Sequence, residues 1–397
     1  MYGTGTPQGK WGLKMRLSCF TAALVAALVG IAGALAVVLA AAQAVGASPA
    51  QTTSWVTALC LSMALTSGYL SWRHRMPIIT AWSTPGAAVI AATAGSVQMD
   101  AAVGAFLLAG VLVVLTALVA PFDRAIRRIP MGVAAGMLAG VLVRFVLLMV
   151  EALPTAPLLV LPLLVVFLVA RLKSPSAAML LVIVAGTALA GGLGMVGQWP
   201  PLELSSLTLV VPRFEVAALI GLGVPLFLVT MASQNLPGAA VLKASGYEPP
   251  FSSSLLTTGL ASIIIAPLGA HTINLAAITA AICTGPDAHP DPAKRWWTGI
   301  AYLFVYTGLA ALGAALVGLF AVLPSALVAT IAGLGLIGSL TGALGSAMAN
   351  EQERFAAVVT FVVTASGLAV AGIGSAFWGL VAGLLVLALD RWSKKPV

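Results

Sequence analysis

The chain has 397 residues, of which 60% are hydrophobic and only 8% are charged, and its mean hydropathy is +1.09. A water-soluble protein of this length could not bury so much apolar surface, so the composition excludes a soluble enzyme or a soluble binding module. The formal net charge of +8 does not indicate nucleic-acid binding, because the basic residues lie in short loops between apolar runs.

Apolar runs separated by charged or proline-rich breakers predict an all-α integral membrane protein with about 14 transmembrane segments, since about 20 apolar residues span a bilayer as a helix. The first run is too long for a signal peptide and is predicted to be retained. Residues 1–16 and 392–397 are predicted to be cytoplasmic tails, and 197–213 an extracytoplasmic connector. The predicted segments are 17–44, 52–72, 78–95, 99–121, 130–150, 154–171, 176–196, 214–237, 253–269, 272–285, 296–319, 322–345, 354–371 and 374–391.

The distribution of basic residues supports this order of segments. If the N-terminus is cytoplasmic, every Lys and Arg except Arg144 and Arg213 falls in a cytoplasmic loop or tail. Such a bias sets the orientation of membrane proteins, so both termini are predicted to be cytoplasmic. Seven segments in each half then give the halves opposite orientations, which defines an inverted repeat.

The third segment of each half is interrupted by Pro, Gly and polar residues. The first begins at Pro77 and runs to Gly95, and the second begins at Pro267 and runs to Gly285. Paired interrupted segments at corresponding positions of two inverted halves are typical of the binding site of a transporter. We expect the two segments, the third and tenth of the chain, to enter from opposite faces and meet near the middle of the membrane.

In the first interrupted segment, the candidate binding residues are Trp82, Ser83, Thr84 and Gly86. Ser or Thr before Pro is typical of a helix start, so Thr84 is predicted to begin a half-helix that ends near Gly95. Its free N–H groups would suit a carboxylate. The alternative is a proline-kinked helix in which the hydroxyls only satisfy the backbone and Trp82 only packs.

In the second interrupted segment, the candidates are His271, Thr272 and Asn274, which precede a predicted half-helix from Leu275 to Gly285. An ionisable residue inside a membrane segment is a functional candidate, and histidine can exchange protons near neutral pH. His271 is therefore the candidate for proton coupling, with a purely structural role as the alternative. Asn274 is predicted to cap the half-helix or to donate to a substrate.

A third candidate is Gln234, next to Asn235 in the eighth segment, where amides need partners. Gln234 is assigned to the site, and Asn235 is expected to face away from it; helix–helix hydrogen bonding is the alternative. The sequence has no nucleotide-binding loop, zinc motif or nucleophile elbow, so we predict no metal, no cofactor and no enzymatic activity. Three buried, inert thiols are expected at Cys19, Cys60 and Cys283.

These polar blocks resemble the bacterial benzoate/proton symporter (BenE-type) family, which is related to uracil and nucleobase–ascorbate permeases and to sulfate-permease-type anion transporters. The resemblance extends over nearly the whole chain. It implies a core domain from 17–122 and 214–319, and a gate domain from 130–196 and 322–391. The blocks that carry the resemblance are PIITAWSTPGAA at 77–88, ASQNLPG at 232–238 and GAHTINLAAITAAICTGP at 269–286.

Two positions depart from the pattern of the uracil-permease relatives, in which acidic residues of the eighth and tenth helices bind the nucleobase. By the local pattern these positions correspond to Gln234 and His271. Neutral donors there favour an organic anion over a nucleobase, since two carboxylates would repel an anion.

The leading hypothesis is therefore a secondary transporter of the bacterial inner membrane that imports benzoate, or a related aromatic carboxylate, with a proton by alternating access. The alternatives are an anion channel, or a transporter of a different small anion or of a nucleobase. The chain is expected to be surrounded by membrane lipid and to bind no nucleic acid. A homodimer is one assembly that the sequence allows.

Overall fold

The computed structural model describes residues 8–93, 95–119, 130–198, 203–370 and 373–393, and these fold almost entirely into helices. The first half contains α1 (Gln8–Ala44), α2 (Pro49–His74), β1 (Thr80–Trp82), α3 (Thr84–Ala91), α4 (Met99–Leu118), α5 (Met131–Glu151), α6 (Pro157–Lys173) and α7 (Pro175–Gly192). The second half contains α8 (Val216–Ala244), α9 (Phe251–Ile265), β2 (Ile273–Leu275), α10 (Ile278–Thr284), α11 (Trp297–Ala311), α12 (Gly313–Ala321), α13 (Ser325–Ala349), α14 (Arg354–Ala365) and α15 (Ser375–Ser393).

Six helices of the described residues are long and apolar enough to cross a membrane, and α11 with α12 would make a seventh. These two helices meet at an angle of 58°, so the predicted eleventh segment is bent rather than straight. The elements follow the predicted order, but the count of 14 spans stays a prediction, because several segments are too short to cross a membrane as single helices.

The structure corrects several predicted boundaries. Helix α1 begins at Gln8, inside the predicted tail, and the first half-helix ends at Ala91 rather than Gly95. The second half-helix begins at Ile278 rather than Leu275, since the residues before it are extended. Residues 1–7 and 394–397 of the predicted tails lie outside the described residues. Residues 120–129, which connect the predicted fourth and fifth segments, lie outside them as well.

Two π-helical turns widen α8, at Leu219–Gly223 and Met231–Asn235. A proline follows each of them, at Pro225 and Pro237, and proline cannot supply the backbone donor that a regular helix needs. The second turn contains Gln234 and Asn235, and widening it changes the directions of their side chains. Gln234 and Asn235 therefore have different surroundings, as their contacts below show, and the expectation that the two do not share one ligand stays a prediction.

The helices pack in two groups. In one group α2 packs against α11, α4 packs against α9, and α1 packs against α3 and α11. In the other, α5 packs against α13 and α14, α14 packs against α15, and α6 packs against α7. The groups meet where α1 contacts α13. A Cβ atom on Gly335 would lie 2.5 Å from the carbonyl oxygen of Gly33, so this contact requires glycine at position 335.

The two interrupted segments pair with each other as a short antiparallel ribbon. Thr80 lies opposite Leu275, and Trp82 lies opposite Ile273. Backbone polar groups in a membrane must be satisfied internally, and this pairing satisfies them where neither segment is helical. The sequence did not predict these strands. The ribbon and the half-helices that follow it place the third elements of the two inverted halves side by side.

Candidate functional site

The first strand is held by hydroxyl groups of α2. The Thr80 hydroxyl lies 2.6 Å from the hydroxyl of Thr66 and 2.8 Å from that of Ser67. Ser71 donates to the carbonyl oxygen of Ile78 at 3.0 Å and accepts from its N–H at 3.1 Å. The polar side of α2 therefore replaces the helical hydrogen bonds that this extended backbone lacks.

The second strand is held by two other helices. The Ser262 hydroxyl of α9 accepts from the Ile273 N–H at 2.9 Å. Asn235 of α8 accepts from the Leu275 N–H through Oδ1, also at 2.9 Å. All four residues are buried, with exposed fractions of 0–1%. The π-helical turn of α8 thus positions a structural amide against the ribbon.

Helix α3 begins as the sequence predicts. Ser83 is its N-cap, and its Oγ accepts from the Gly86 N–H at 3.0 Å. Thr84 and Pro85 are the first helical residues. A Cβ atom on residue 86 would lie 2.7 Å from both Leu226 Cδ1 and Ser83 Oγ, so glycine is required where α3 meets α8.

Helix α10 begins differently. Asn274 lies in β2, so it does not cap this helix, and α10 has no side-chain cap at its start. The Asn274 amide donates to the Leu275 carbonyl at 2.9 Å and to Gln234 Oε1 at 3.4 Å. Its Oδ1 is buried and has no hydrogen-bond partner among the described residues. Asn274 and Gln234 therefore lie together, with one acceptor of the pair unsatisfied.

His271 is fully buried and both of its ring nitrogens have partners. Trp55 donates from Nε1 to His271 Nδ1 at 2.9 Å, and His271 Nε2 lies 3.0 Å from the Ser83 carbonyl oxygen. Because the indole can only donate, Nδ1 is the acceptor and Nε2 carries the proton, which is the neutral tautomer. Phe106 also packs edge-on against the imidazole, with the ring centroids 6.4 Å apart. His271 thus connects the second segment to α2 and to the start of α3.

Thr272 also links elements of the fold. Its hydroxyl lies 2.8 Å from that of Thr230 on α8, which lies 3.5 Å from Ser83 Oγ. All three side chains are fully buried. They form a row of hydroxyls between α8 and the two interrupted segments.

A cavity of about 370 Å³ lies beside the ribbon. It falls in the range of about 300–1,000 Å³ that small-molecule sites occupy. The lining combines aromatic rings with neutral polar groups, and no Asp or Glu of the described chain contributes to it. Its aromatic and polar lining residues are Trp82, Thr84, Phe167, Arg171, Gln234, Thr279, Tyr302, Tyr306 and Ser339.

A second cavity of about 350 Å³ adjoins the first. Both are lined by Gln234, Ala277, Gly338 and Ser339, so these residues stand between them. The remaining walls of the second cavity come mostly from the starts of α3 and α5 and from the C-terminal halves of α8 and α13. Gln234 therefore occupies the boundary between two compartments.

The structure divides the predicted site residues into two sets. Trp82, Thr84 and Gln234 line the first cavity. The remaining five line neither cavity. They contact backbone or side chains at the place where the two interrupted segments meet. They are Ser83, Gly86, His271, Thr272 and Asn274.

Sequence reasoning missed the contributions of α6 and α11. Tyr302 and Tyr306 lie one helical turn apart on α11, and Phe167 and Arg171 lie one turn apart on α6. The Tyr302 hydroxyl lies near Thr279 and Tyr306 without a well-aligned hydrogen bond. The spacing of four residues was available as a signal, but it is also typical of ordinary packing. Among the described residues, no group of three His, Cys, Asp or Glu side chains could hold a metal ion.

The fold is that of multi-pass membrane transporters with two inverted repeats. The chain matches the transmembrane domain of a cyanobacterial bicarbonate transporter, BicA, with a TM-score of 0.61 and 15% identity, over 92% of this chain and 97% of that one. It also matches murine Slc26a9, an anion transporter in the inward-facing state, with a TM-score of 0.64 and 13% identity, over 96% and 69%. These neighbours share the inverted-repeat architecture, and they show the fold alone.

The chain belongs to the benzoate membrane transport protein family, whose model matches residues 14–389. It is 40% identical to the inner membrane protein YdcO of Escherichia coli, over 93% of this chain and 96% of that protein. It is 36% identical to the benzoate membrane transport protein of Acinetobacter baylyi, over 93% and 94%. The predicted family, the transport function and the absence of an enzyme class are thereby confirmed.

Proposed function

We propose that this protein transports benzoate or a related aromatic carboxylate together with a proton, by alternating access. The observation that carries the proposal is the first cavity, in which aromatic rings, neutral hydrogen-bond donors and one arginine surround a volume of about 370 Å³. Its described lining includes no carboxylate, so an anionic ligand meets no like charge there. The name of the Acinetobacter relative, a benzoate membrane transport protein, supports benzoate as the substrate.

The substrate carboxylate faces the ribbon in this proposal. The Thr84 hydroxyl and the Gln234 amide are donors at the cavity wall, and α3 begins at Thr84. The positive end of a helix dipole favours an anion at that point. The indole of Trp82 offers an apolar face to the ring of the substrate. Ser83, Gly86, Thr272 and Asn274 support this wall from behind.

Alternating access requires two bodies that move relative to each other. We assign the group of α1 to α4 with α8 to α12 as the core, and the group of α5 to α7 with α13 to α15 as the gate. The first cavity has walls from both groups, since Trp82 belongs to the first and Leu334 to the second. Relative movement of the groups would change the access to a bound substrate, as in other inverted-repeat transporters.

His271 remains the proposed proton site, but not as a direct ligand of the substrate. A proton added at Nδ1 would remove the acceptor of the Trp55 N–H, because both atoms would then be donors. Protonation would thus release the second interrupted segment from α2. It would also change how the two interrupted segments pack against each other. Proton binding and substrate binding would be coupled through the ribbon.

The proposed setting is the bacterial inner membrane, with both termini in the cytoplasm. The E. coli relative is described as an inner membrane protein. The positions of the basic residues support the orientation. The homodimer stays a prediction, and cross-linking of the purified protein in nanodiscs would test it.

The test of the proposed function is uptake of labelled benzoate by proteoliposomes that contain the purified protein. We expect saturable uptake that increases when the outside is made acidic, and counterflow when the vesicles are preloaded with unlabelled benzoate. Empty liposomes at the same pH gradient control for diffusion of the neutral acid. Uptake without counterflow would favour a channel, and preferred uptake of bicarbonate or uracil would overturn the substrate.

A further inference from the structure

Arg171 is the charged residue among those that line the first cavity. It is not part of the carboxylate site proposed at Thr84 and Gln234. It lies in the last turn of α6, and its side chain is exposed although it also lines the cavity. No ion pair or side-chain hydrogen bond joins it to another residue in the described part of the chain. The remaining described lining residues carry no formal charge. A guanidinium at a cavity wall without a protein partner is available to an anion.

Phe167 lies four residues before Arg171 and lines the same cavity. It is 8% exposed, so its ring is packed into the wall and not free in solvent. Residues four apart on a helix lie on one face, about 6 Å apart along the axis. The face of α6 towards the cavity therefore presents an apolar ring and, one turn later, a positive charge.

We propose that Phe167 and Arg171 form a second subsite for the aromatic carboxylate, with the substrate ring against Phe167 and its carboxylate on Arg171. The proposal rests on the proposed function and makes its substrate class more specific. An aromatic acid carries an apolar ring directly beside an anionic carboxylate, and one face of α6 offers a ring and a positive charge to these two parts. Small inorganic anions would gain from Arg171 but not from Phe167.

The subsite belongs to the gate group, whereas Thr84 and Gln234 belong to the core group. The cavity joins the two sets of residues. Arg171 lies with Lys173 in the last turn of α6, at the end of the predicted sixth segment that the basic residues assign to the cytoplasmic side. A substrate would occupy the Phe167–Arg171 subsite on the way between solvent and the core site.

The test is equilibrium binding to the purified full-length protein in detergent, with labelled benzoate and with benzamide as an uncharged probe of the same shape. Lys173 is a matched control, since it is exposed in the same helical turn but does not line either cavity. The variants are Arg171→Gln, Arg171→Lys, Phe167→Leu and Lys173→Gln. Each is checked for an unchanged elution profile on size exclusion.

We expect Arg171→Gln to raise the Kd for benzoate about tenfold, since it removes a charge-assisted hydrogen bond, and to change benzamide binding less than about twofold. Arg171→Lys should recover part of the loss. Phe167→Leu should weaken both ligands about threefold, because both carry the ring. Added salt should weaken benzoate binding to the wild type more than to Arg171→Gln, since salt screens an exposed charge.

The proposal is overturned if Arg171→Gln changes benzoate binding no more than Lys173→Gln does, or if it weakens benzamide as much as benzoate. Wild-type protein that binds neither ligand would overturn the substrate class of the proposed function, and the subsite with it. Wild-type binding of benzoate that is unaffected at Arg171 would overturn the subsite alone.

Discussion

The two interrupted segments pair residue against residue, but they are built in different ways. The first is capped by its own Ser83, continues through Pro85 into α3, and is held by hydroxyls of the helix directly before it. The second has no side-chain cap on α10 and depends on Ser262 of the preceding helix and on Asn235 of α8. Each segment is therefore held by its preceding helix, but the first supplies its own helix cap whereas the second also needs α8, 40 residues earlier in the chain.

This difference indicates where substrate binding and structural support meet. Gln234 and Asn235 are neighbours in one π-helical turn, yet Gln234 lines both cavities and Asn235 holds the ribbon. One turn of α8 thus both lines the cavities and holds the second segment, which itself contributes Ala276, Ala277 and Thr279 to the first cavity. The predictions below test this connection, beginning with the variant that should have the largest effect.

Gln234→Glu should reduce benzoate uptake about a hundredfold at neutral pH, because an unpaired like charge at a binding site costs several kcal/mol. The new carboxylate could still accept from the Asn274 amide, so the loss would come from its charge and from the missing Gln234 N–H donor. The measurement is initial uptake in proteoliposomes. Lys243→Gln is the control, since Lys243 is exposed on the same helix and lines neither cavity. Near-normal uptake by the Glu variant would remove Gln234 from the substrate path.

Asn235→Ala should destabilise the protein more than Ser83→Ala does. The first change leaves the buried Leu275 N–H without its acceptor, at a cost of about 1–3 kcal/mol, and the second removes a helix cap worth about 1 kcal/mol. Uptake should fall about tenfold in the first variant and about threefold in the second, in proportion to the disorder expected at the ribbon. Free energies of unfolding in mixed micelles provide the comparison. The contrast between the two segments is wrong if the Ser83 variant loses more.

His271→Gln should retain uptake driven by a benzoate gradient within about fivefold, since an amide can accept from Trp55 and donate to the Ser83 carbonyl. Stimulation by an inward proton gradient should disappear, because the amide does not titrate. His271→Ala should lose both activities and melt at a lower temperature. Stimulation that persists in the Gln variant would show that His271 only connects the segments and that the proton binds elsewhere.

Several features could be predicted because their signals are local. The Thr84–Pro85 helix start depends on residues adjacent in the chain, and the structure has it where the sequence places it. Gln234 could be predicted to line a site because an amide in an apolar helix requires a partner. The role of Asn274 could not, since it depends on whether the second segment becomes helical or extended at that residue.

Other features depend on packing between distant segments. The β-ribbon forms because two non-helical stretches, almost 200 residues apart, satisfy backbone groups by pairing with each other and with side chains of α2, α8 and α9. The acceptor role of Asn235 towards the Leu275 N–H depends in the same way on a strand 40 residues further along the chain. Nothing in the sequence next to Tyr302 or Phe167 distinguishes a residue that lines a cavity from one that packs between helices.

By itself, the sequence determined a membrane protein with two broken segments and a neutral, anion-compatible set of polar residues, because hydropathy, charge placement and helix starts are properties of neighbouring residues. Only the tertiary structure decided which of those residues reach a cavity. It directs Trp82, Thr84 and Gln234 to the wall and holds His271 between Trp55 and the Ser83 carbonyl. A buried polar group must find its partner wherever the fold supplies one, and that partner is often far away in the chain.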